Sequence, residues 1–171
     1  MVTSWQDMVY NTSLGLVQNE MDAEDVTQEV FVKAFESIQG FKGESKVSTW
    51  LYRITVTKSL DFLRSKKRKK RFGYVYSLFG PDNELSINPP EFVHPGVVSE
   101  KKQVAAALFK ALDQLPEQQR VAFVLTRLEG LGHKEVSEVM GNTVPAVESL
   151  LQRAKTNLKK QLTEFYRQNL E

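Results

Sequence analysis

The chain has 171 residues, enough for one ordinary domain or two small ones, and its 41% hydrophobic and 26% charged residues are a balance typical of soluble globular proteins. With no cysteine there are no disulfides or thiolate metal sites, and the two histidines, His94 and His133, lie too far apart in sequence to suggest a His-based metal site or a triad. No apolar run approaches the roughly 20 residues that span a bilayer, and the start, MVTSWQDMVY, lacks the basic and apolar regions of a signal peptide. The expectation is a cytoplasmic protein with no membrane insertion, no cofactor, no metal and no small-molecule substrate. The net charge of +2 is unevenly spread. Lys66, Lys67, Arg68, Lys69, Lys70 and Arg71 form an unbroken basic run. Residues 72–100 hold no Lys or Arg but carry Asp82, Glu84, Glu91 and Glu100. Such blocks imply different partners for different segments.

In chain order, Ser4 to Val17 fits a helix. A second helix follows Met21-Asp22-Ala23, capped near Asp22. Its core stripe reads Val26, Val30, Phe31, Ala34, Phe35 and Ile38, with Asp25, Gln28, Glu29 and Glu36 projecting elsewhere. Residues 40–45 are a loop. Ser48 is positioned to cap a third helix that passes through Trp50, Leu51, Ile54 and Phe62 into the basic run. Gly73, Gly80-Pro81, Pro89-Pro90 and Pro95-Gly96 then punctuate 72–100, which reads as a flexible linker between domains at 1–71 and 101–171.

The second half opens with a helix carrying Val104, Leu108, Ala111, Leu112 and Leu115. Pro116 starts another, with Val121, Val124, Leu125 and Leu128 as its stripe. His133 to Met140 makes a short helix, broken by Gly141-Asn142. Thr143 caps the last helix, with Pro145 in its first turn and Val147, Leu150, Leu151, Ala154, Leu158 and Leu162 along one side. This is a helix-turn-helix pattern. No segment sustains an alternation of period two, so the expected fold is all-α: two small helical domains joined by a flexible linker, the C-terminal one a helix-turn-helix.

Two constellations bear on function. The free face of the last helix carries Glu148, Ser149, Gln152, Arg153, Thr156 and Lys159, which suits a major groove; Ser, Gln and Arg read base edges there. Any amphipathic helix pair with Gly in its turn shares this look, and most such pairs only pack. In the first half, FKGESKVSTWLYRITVTKSLDFLRSKKRKKR mixes the π faces of Phe41, Trp50 and Tyr52 with Lys42, Lys46, Arg53, Lys58 and Arg64, a combination that holds unstacked single-stranded bases. Taken singly, Phe41 and Trp50 are better read as core.

Together these blocks resemble a known family. FKGESKVSTWLYRI, then LDFLR, then a basic run, is similar to region 2 of the extracytoplasmic-function (ECF) sigma factors of RNA polymerase. DAEDVTQEVFVKAF resembles the region 2 helix that docks on the polymerase. ALDQLPEQQRVAFVLTRLEGLGHKEVSEVMGNTVPAVESLLQRAK resembles region 4. The resemblance covers nearly all of the chain except the linker, and its two blocks stand in the family's order. Ahead of WQDMVYNTSLGLV the family usually carries further helix, where this sequence has residues 1–4.

The resemblance implies a promoter-specificity subunit without catalysis of its own, with core RNA polymerase and promoter DNA as partners and an anti-sigma protein as a further expected one. It places Asp25, Gln28 and Glu29 against the polymerase. Phe41, Lys46, Trp50, Arg53, Thr57 and Arg64 would meet the −10 element, with Phe41 as a wall of the pocket for a flipped base and Thr57 where the family often has asparagine. Lys66 to Arg71 would meet DNA without sequence preference. The linker would thread the RNA exit channel, and the helix from Pro116 to Glu129 would rest on the β flap. Glu148, Ser149, Gln152 and Arg153 would read the −35 element, Glu148 standing where many members have a cation; Lys155 and Lys159 would hold phosphates. The competing reading is a stand-alone helix-turn-helix regulator that binds duplex operators, which does not need the Trp50 and basic-run block. An enzyme ranks far behind, with no Gly-rich phosphate loop and no nucleophile beside a base.

Overall fold

The computed structural model describes residues 4–79 and 100–169; most of the expected linker, and the Val104 side chain, lie outside the described residues. Every regular element among the described residues is helical. Helix α1 (Trp5–Val17) opens on a reciprocal cap: the Ser4 hydroxyl accepts from the Asp7 amide at 3.1 Å, and the Asp7 carboxylate accepts from the Ser4 amide at 3.3 Å. Helix α2 (Glu20–Ser37) is capped by Asn19 rather than Asp22. The Asn19 side-chain oxygen accepts from the Asp22 amide at 3.0 Å, and Glu20 and Asp22 occupy the first turn, where the helix dipole favours carboxylates.

Helix α3 (Val47–Phe79) starts one residue before Ser48 and does not end at Arg71. It continues through Gly73 into the segment read as linker. One glycine costs a helix only about 1 kcal/mol, and no proline interrupts until Pro81. The dense punctuation begins after the helix has ended.

The α2 stripe also differs from expectation. Ala23, Val26, Thr27, Val30 and Ala34 are buried against α1 and α3, whereas Phe31, Phe35 and Ile38 point outward. Two apolar stripes run along α2, and only the one with the smaller side chains fits between the neighbouring helices.

The second half comprises α4 (Glu100–Asp113), α5 (Glu117–Phe123), a π-helical segment (Val124–Leu128), α6 (His133–Met140) and α7 (Val144–Asn169). The expected single helix after Pro116 thus widens at Val124, and Leu128 is exposed instead of joining the core. Gly141 makes the helix-turn-helix turn at φ 66°, and Thr143 Oγ1 accepts from the Ala146 amide at 3.3 Å. On α7, Val147, Leu151, Ala154 and Leu158 are buried, as their spacing predicts.

The two halves pack on each other. One apolar cluster runs from Val9, Leu16 and Leu51 to Val121, Val124, Leu125 and Val136. Gly15 of α1 lies so close to the π segment that an added Cβ would stand 2.9 Å from Val124 Cγ1. Arg120, only 3% exposed, donates to the Leu16 carbonyl at 3.2 Å and to the carbonyls of Asp113 and Leu115, tying α5 to α1. Burial lowers its pKa, with Asp113 and Glu117 opposing.

Candidate nucleic-acid interface

The block expected to capture a base holds a hollow of about 480 Å³ lined by Gly40, Phe41, Lys42, Glu44, Ser45, Trp50 and Arg53. Phe41 and Trp50 meet with ring centroids 5.1 Å apart and planes tilted by 42°, so the two aromatics form adjoining walls. Both are half-buried, as an amphipathic platform requires. Tyr52 does not join them. It is buried, and its hydroxyl donates to Glu129 Oε2 at 3.2 Å. Burial, then Glu129, raises the Tyr52 pKa; burial likewise raises that of Glu129, against hydrogen bonds from Tyr52 and Thr12.

Cations expected at the −10 element are engaged within the chain. Arg53 Nε and Nη2 donate to the Glu138 carbonyl at 2.9 and 2.6 Å. Lys46 pairs with Glu135 at 3.3 Å, and Arg64 with Glu117 at 2.9 Å and Asp61 at 3.5 Å. The Glu117 hydrogen bond raises the Arg64 pKa. The backbone amide of Gly132, then Lys46, hold Glu135 below the usual carboxylate range. The Thr57 hydroxyl donates to the Arg53 carbonyl at 2.8 Å, one turn back.

In the basic run, Lys66 pairs with Asp22 and stands 5.9 Å from the Phe62 ring centroid. Lys67, Arg68, Lys69, Lys70 and Arg71 are exposed along α3.

On α2, Asp25, Gln28 and Glu29 are exposed, with Glu29 paired to Lys58 at 3.4 Å. Sequence reasoning missed their neighbours. Val32 and Phe35, 59% and 83% exposed, follow Asp25 and Gln28 along the same helical row, flanked by Phe31 and Ile38. An acidic helix face continued by exposed large apolar side chains has the make-up of a protein-docking surface. The signal was in the sequence: seven apolar residues within thirteen exceed what one buried stripe of a helix holds, Val26 to Ile38.

On α7, Glu148, Ser149, Gln152, Arg153, Lys155 and Lys159 are all exposed. Glu148, Gln152, Lys155 and Lys159 share one row by their spacing. His133 Nδ1 lies 3.4 Å from Glu148 Oε1, linking the first residue of α6 to the exposed face of α7.

A two-domain helical chain with paired aromatics over an open hollow and a helix-turn-helix has an architecture suited to promoter recognition, and comparison agrees. The sequence model of Sigma-70 region 2 matches residues 1–69, and that of Sigma-70 region 4 matches residues 105–158. The RNA polymerase sigma-H factor of Pseudomonas aeruginosa is 27% identical, over 98% of this chain and 87% of that protein. The ECF RNA polymerase sigma factor SigE of Mycolicibacterium smegmatis is 31% identical, over 96% of this chain and 61% of that one. The ECF RNA polymerase sigma-E factor of Escherichia coli K12 is 31% identical, over 78% of this chain and 70% of that protein. Among solved structures, the sigma factor RpoE of Bartonella quintana, in complex with the anti-sigma factor NepR, superposes with a TM-score of 0.63 at 21% identity, covering 93% of this chain and 92% of that one. CnrH, in complex with the cytosolic domain of CnrY, also gives 0.63, at 23% identity, over 91% and 80%. The chain belongs to the ECF RNA polymerase sigma factors, which act in transcription initiation by promoter recognition. No described helix is long and apolar enough to cross a membrane.

Proposed function

We propose that the chain divides promoter recognition between its halves as follows. The outer face of α2 docks on a basic, partly apolar surface of core polymerase through Asp25, Gln28, Glu29, Val32 and Phe35. The Phe41–Trp50 hollow holds a base flipped from the −10 element, with Lys46, Arg53 and Arg64 on the surrounding strand. Extruding a base costs a few kcal/mol, and stacking on aromatics returns about 1–3 kcal/mol per base. Thr57 spends its hydroxyl on its own helix and contributes mainly shape. Residues 67–71 hold duplex phosphates. On α7, Ser149, Gln152 and Arg153 read the −35 element, Glu148 accepts from a cytosine amine, and Lys155 and Lys159 fix register on the phosphates.

The observation that carries this is the pairing of Phe41 with Trp50 over an open hollow, in a chain that also presents a polar reading face on α7. The work takes place in the cytoplasm, beside the polymerase and the chromosome. An anti-sigma protein would cover the polymerase-binding faces of both halves, and undiminished core binding in its presence excludes that role. Run-off transcription with bacterial core polymerase on a pool of genomic fragments, with and without the chain, tests the whole assignment. Start sites that appear only with the chain give both promoter elements. Tight duplex binding without core, and no transcripts, returns the stand-alone regulator.

A further inference from the structure

Of the four side chains that would read the −35 element, Glu148 alone is anionic, and a carboxylate brought to DNA is repelled by the phosphates unless something directs it. Its own helix supplies no counter-charge: Val144, Pro145, Leu151 and Gln152 occupy the positions three and four residues away. The partner comes from the other helix of the helix-turn-helix. His133 Nδ1, on the first residue of α6, stands 3.4 Å from Glu148 Oε1, and among the described residues no Lys or Arg pairs with that carboxylate. The nearest carboxylate in sequence to His133, that of Glu135, is already engaged: it accepts from the Gly132 amide at 3.2 Å and pairs with Lys46 at 3.3 Å.

A contact this exposed adds little to stability, since the two side chains are 44% and 57% exposed and solvent screens them. What it changes is the hydrogen-bonding pattern shown to a groove. A carboxylate held at one oxygen by an imidazole N–H is fixed in orientation, and its second oxygen remains a bare acceptor. A glutamate without that tether is free to swing away and must be ordered when DNA binds. In the major groove cytosine N4 and adenine N6 offer an amine to such an acceptor. Guanine and thymine present O6 and O4 instead, which repel it.

We propose that His133 is a specificity-determining residue of the −35 site. Acting through Glu148, it aims one carboxylate oxygen into the groove, so that the chain selects an amine-bearing base, cytosine or adenine, on the strand that Glu148 faces. This rests on the assignment of α7 to the −35 element and adds to it a positioning residue from α6.

The test uses holoenzyme assembled from the full chain and bacterial core polymerase. It is offered a promoter found by run-off transcription, with the −35 element randomised, and the bound pool is sequenced. The native chain should favour cytosine or adenine over guanine and thymine at one position by roughly fivefold or more. Glu148→Ala should abolish that preference, and His133→Ala should remove most of it while selection elsewhere in the element stays unchanged. Both positions are exposed, so these variants keep their fold. Adding His133→Ala to Glu148→Ala should change nothing further. His133→Asn, whose amide N–H stands in for Nδ1–H, should restore the preference, which a merely structural role for His133 does not allow. A promoter carrying 2-pyrimidinone for the favoured cytosine, or purine for the favoured adenine, lacks the amine. It should bind the native holoenzyme more weakly and Glu148→Ala equally well. A preference that survives His133→Ala but not Glu148→Ala overturns the proposal and leaves the −35 assignment standing, as does a loss that His133→Asn does not restore. A preference that survives both alanine variants refutes the reading role of Glu148, and the role of His133 with it.

Discussion

Tyr52 donates its hydroxyl to Glu129 across 3.2 Å, joining the third helix of region 2 to the residue that ends the π segment of region 4. The bond ties a titratable group to the packing of the two halves. Burial lifts the Glu129 carboxyl above its ordinary 4.5, and an unfolded chain returns it there. The packed form therefore binds the proton more tightly. Its contribution to stability is full below about 4.5 and is lost as pH rises through the raised value. Glu135 acts in the opposite direction and lower: its depressed pKa contributes stability above 4.5 that disappears on further acidification. As acid is added from neutral pH toward 4.5, the melting temperature of the native chain should gain on that of Glu129→Gln. Thermal melts of both proteins across that window read the difference. Parallel curves would show that Glu129 is not the titrating link.

Phe41→Ala removes one wall of the base hollow and leaves the α3 packing in place. Losing one stacking surface is worth about 1–3 kcal/mol, so open-complex formation should drop roughly 5- to 150-fold. Core affinity should stay unchanged, because the Phe41 ring packs on Trp50 of α3, whereas the proposed docking side chains Asp25, Gln28 and Phe35 lie exposed on α2. Permanganate footprinting of the −10 region, beside a core-binding titration, separates the two. Equal losses in both would move Phe41 from DNA capture to polymerase docking.

The helices were legible because their signals are local. Ser4, Thr143 and Gly141 end or begin helices by side-chain or backbone chemistry that a short window contains, and the α7 stripe repeats at helical spacing over several turns. What was illegible depends on a second surface. Phe31, Phe35 and Ile38 have core periodicity, but the groove between α1 and α3 takes the slimmer row of Ala23, Val26, Val30 and Ala34. Gly15 reads as a weak helix position until Val124 is found against it. No local signal marks Arg120 as buried, and it is held there by three backbone carbonyls that converge on it. The base hollow was half legible: its aromatics and cations were named together, while the diversion of Arg53 and Lys46 to α6 was not.

On α7, two substitutions should behave differently. Gln152→Ala removes a side chain proposed to read a base, so it should cost about 1–3 kcal/mol on the preferred −35 element and relax selection at one base pair. Lys155→Ala removes a proposed phosphate contact, so it should weaken all sequences about equally and reduce the salt slope of binding by about 1. Holoenzyme binding to promoter variants at several salt concentrations distinguishes them. A uniform loss for Gln152→Ala would place that side chain on the backbone of the DNA.

Phe35, at 83% exposure, has little to lose on folding and a partner to gain. Phe35→Ser should leave unfolding free energy within about 0.5 kcal/mol and lower core-polymerase affinity at least roughly tenfold, because an exposed aromatic on a docking face is a common anchor of binding energy. Leu16→Ala is the counterpart. Leu16 of α1 is fully buried in the apolar cluster that spans both halves, so truncating it should cost about 2–5 kcal/mol of stability. Denaturant unfolding and core binding, measured on both proteins, set the two effects apart. A Phe35→Ser chain that unfolds as readily as Leu16→Ala would mean that α2 buries both of its apolar rows in solution, and the docking face would have to be sought elsewhere.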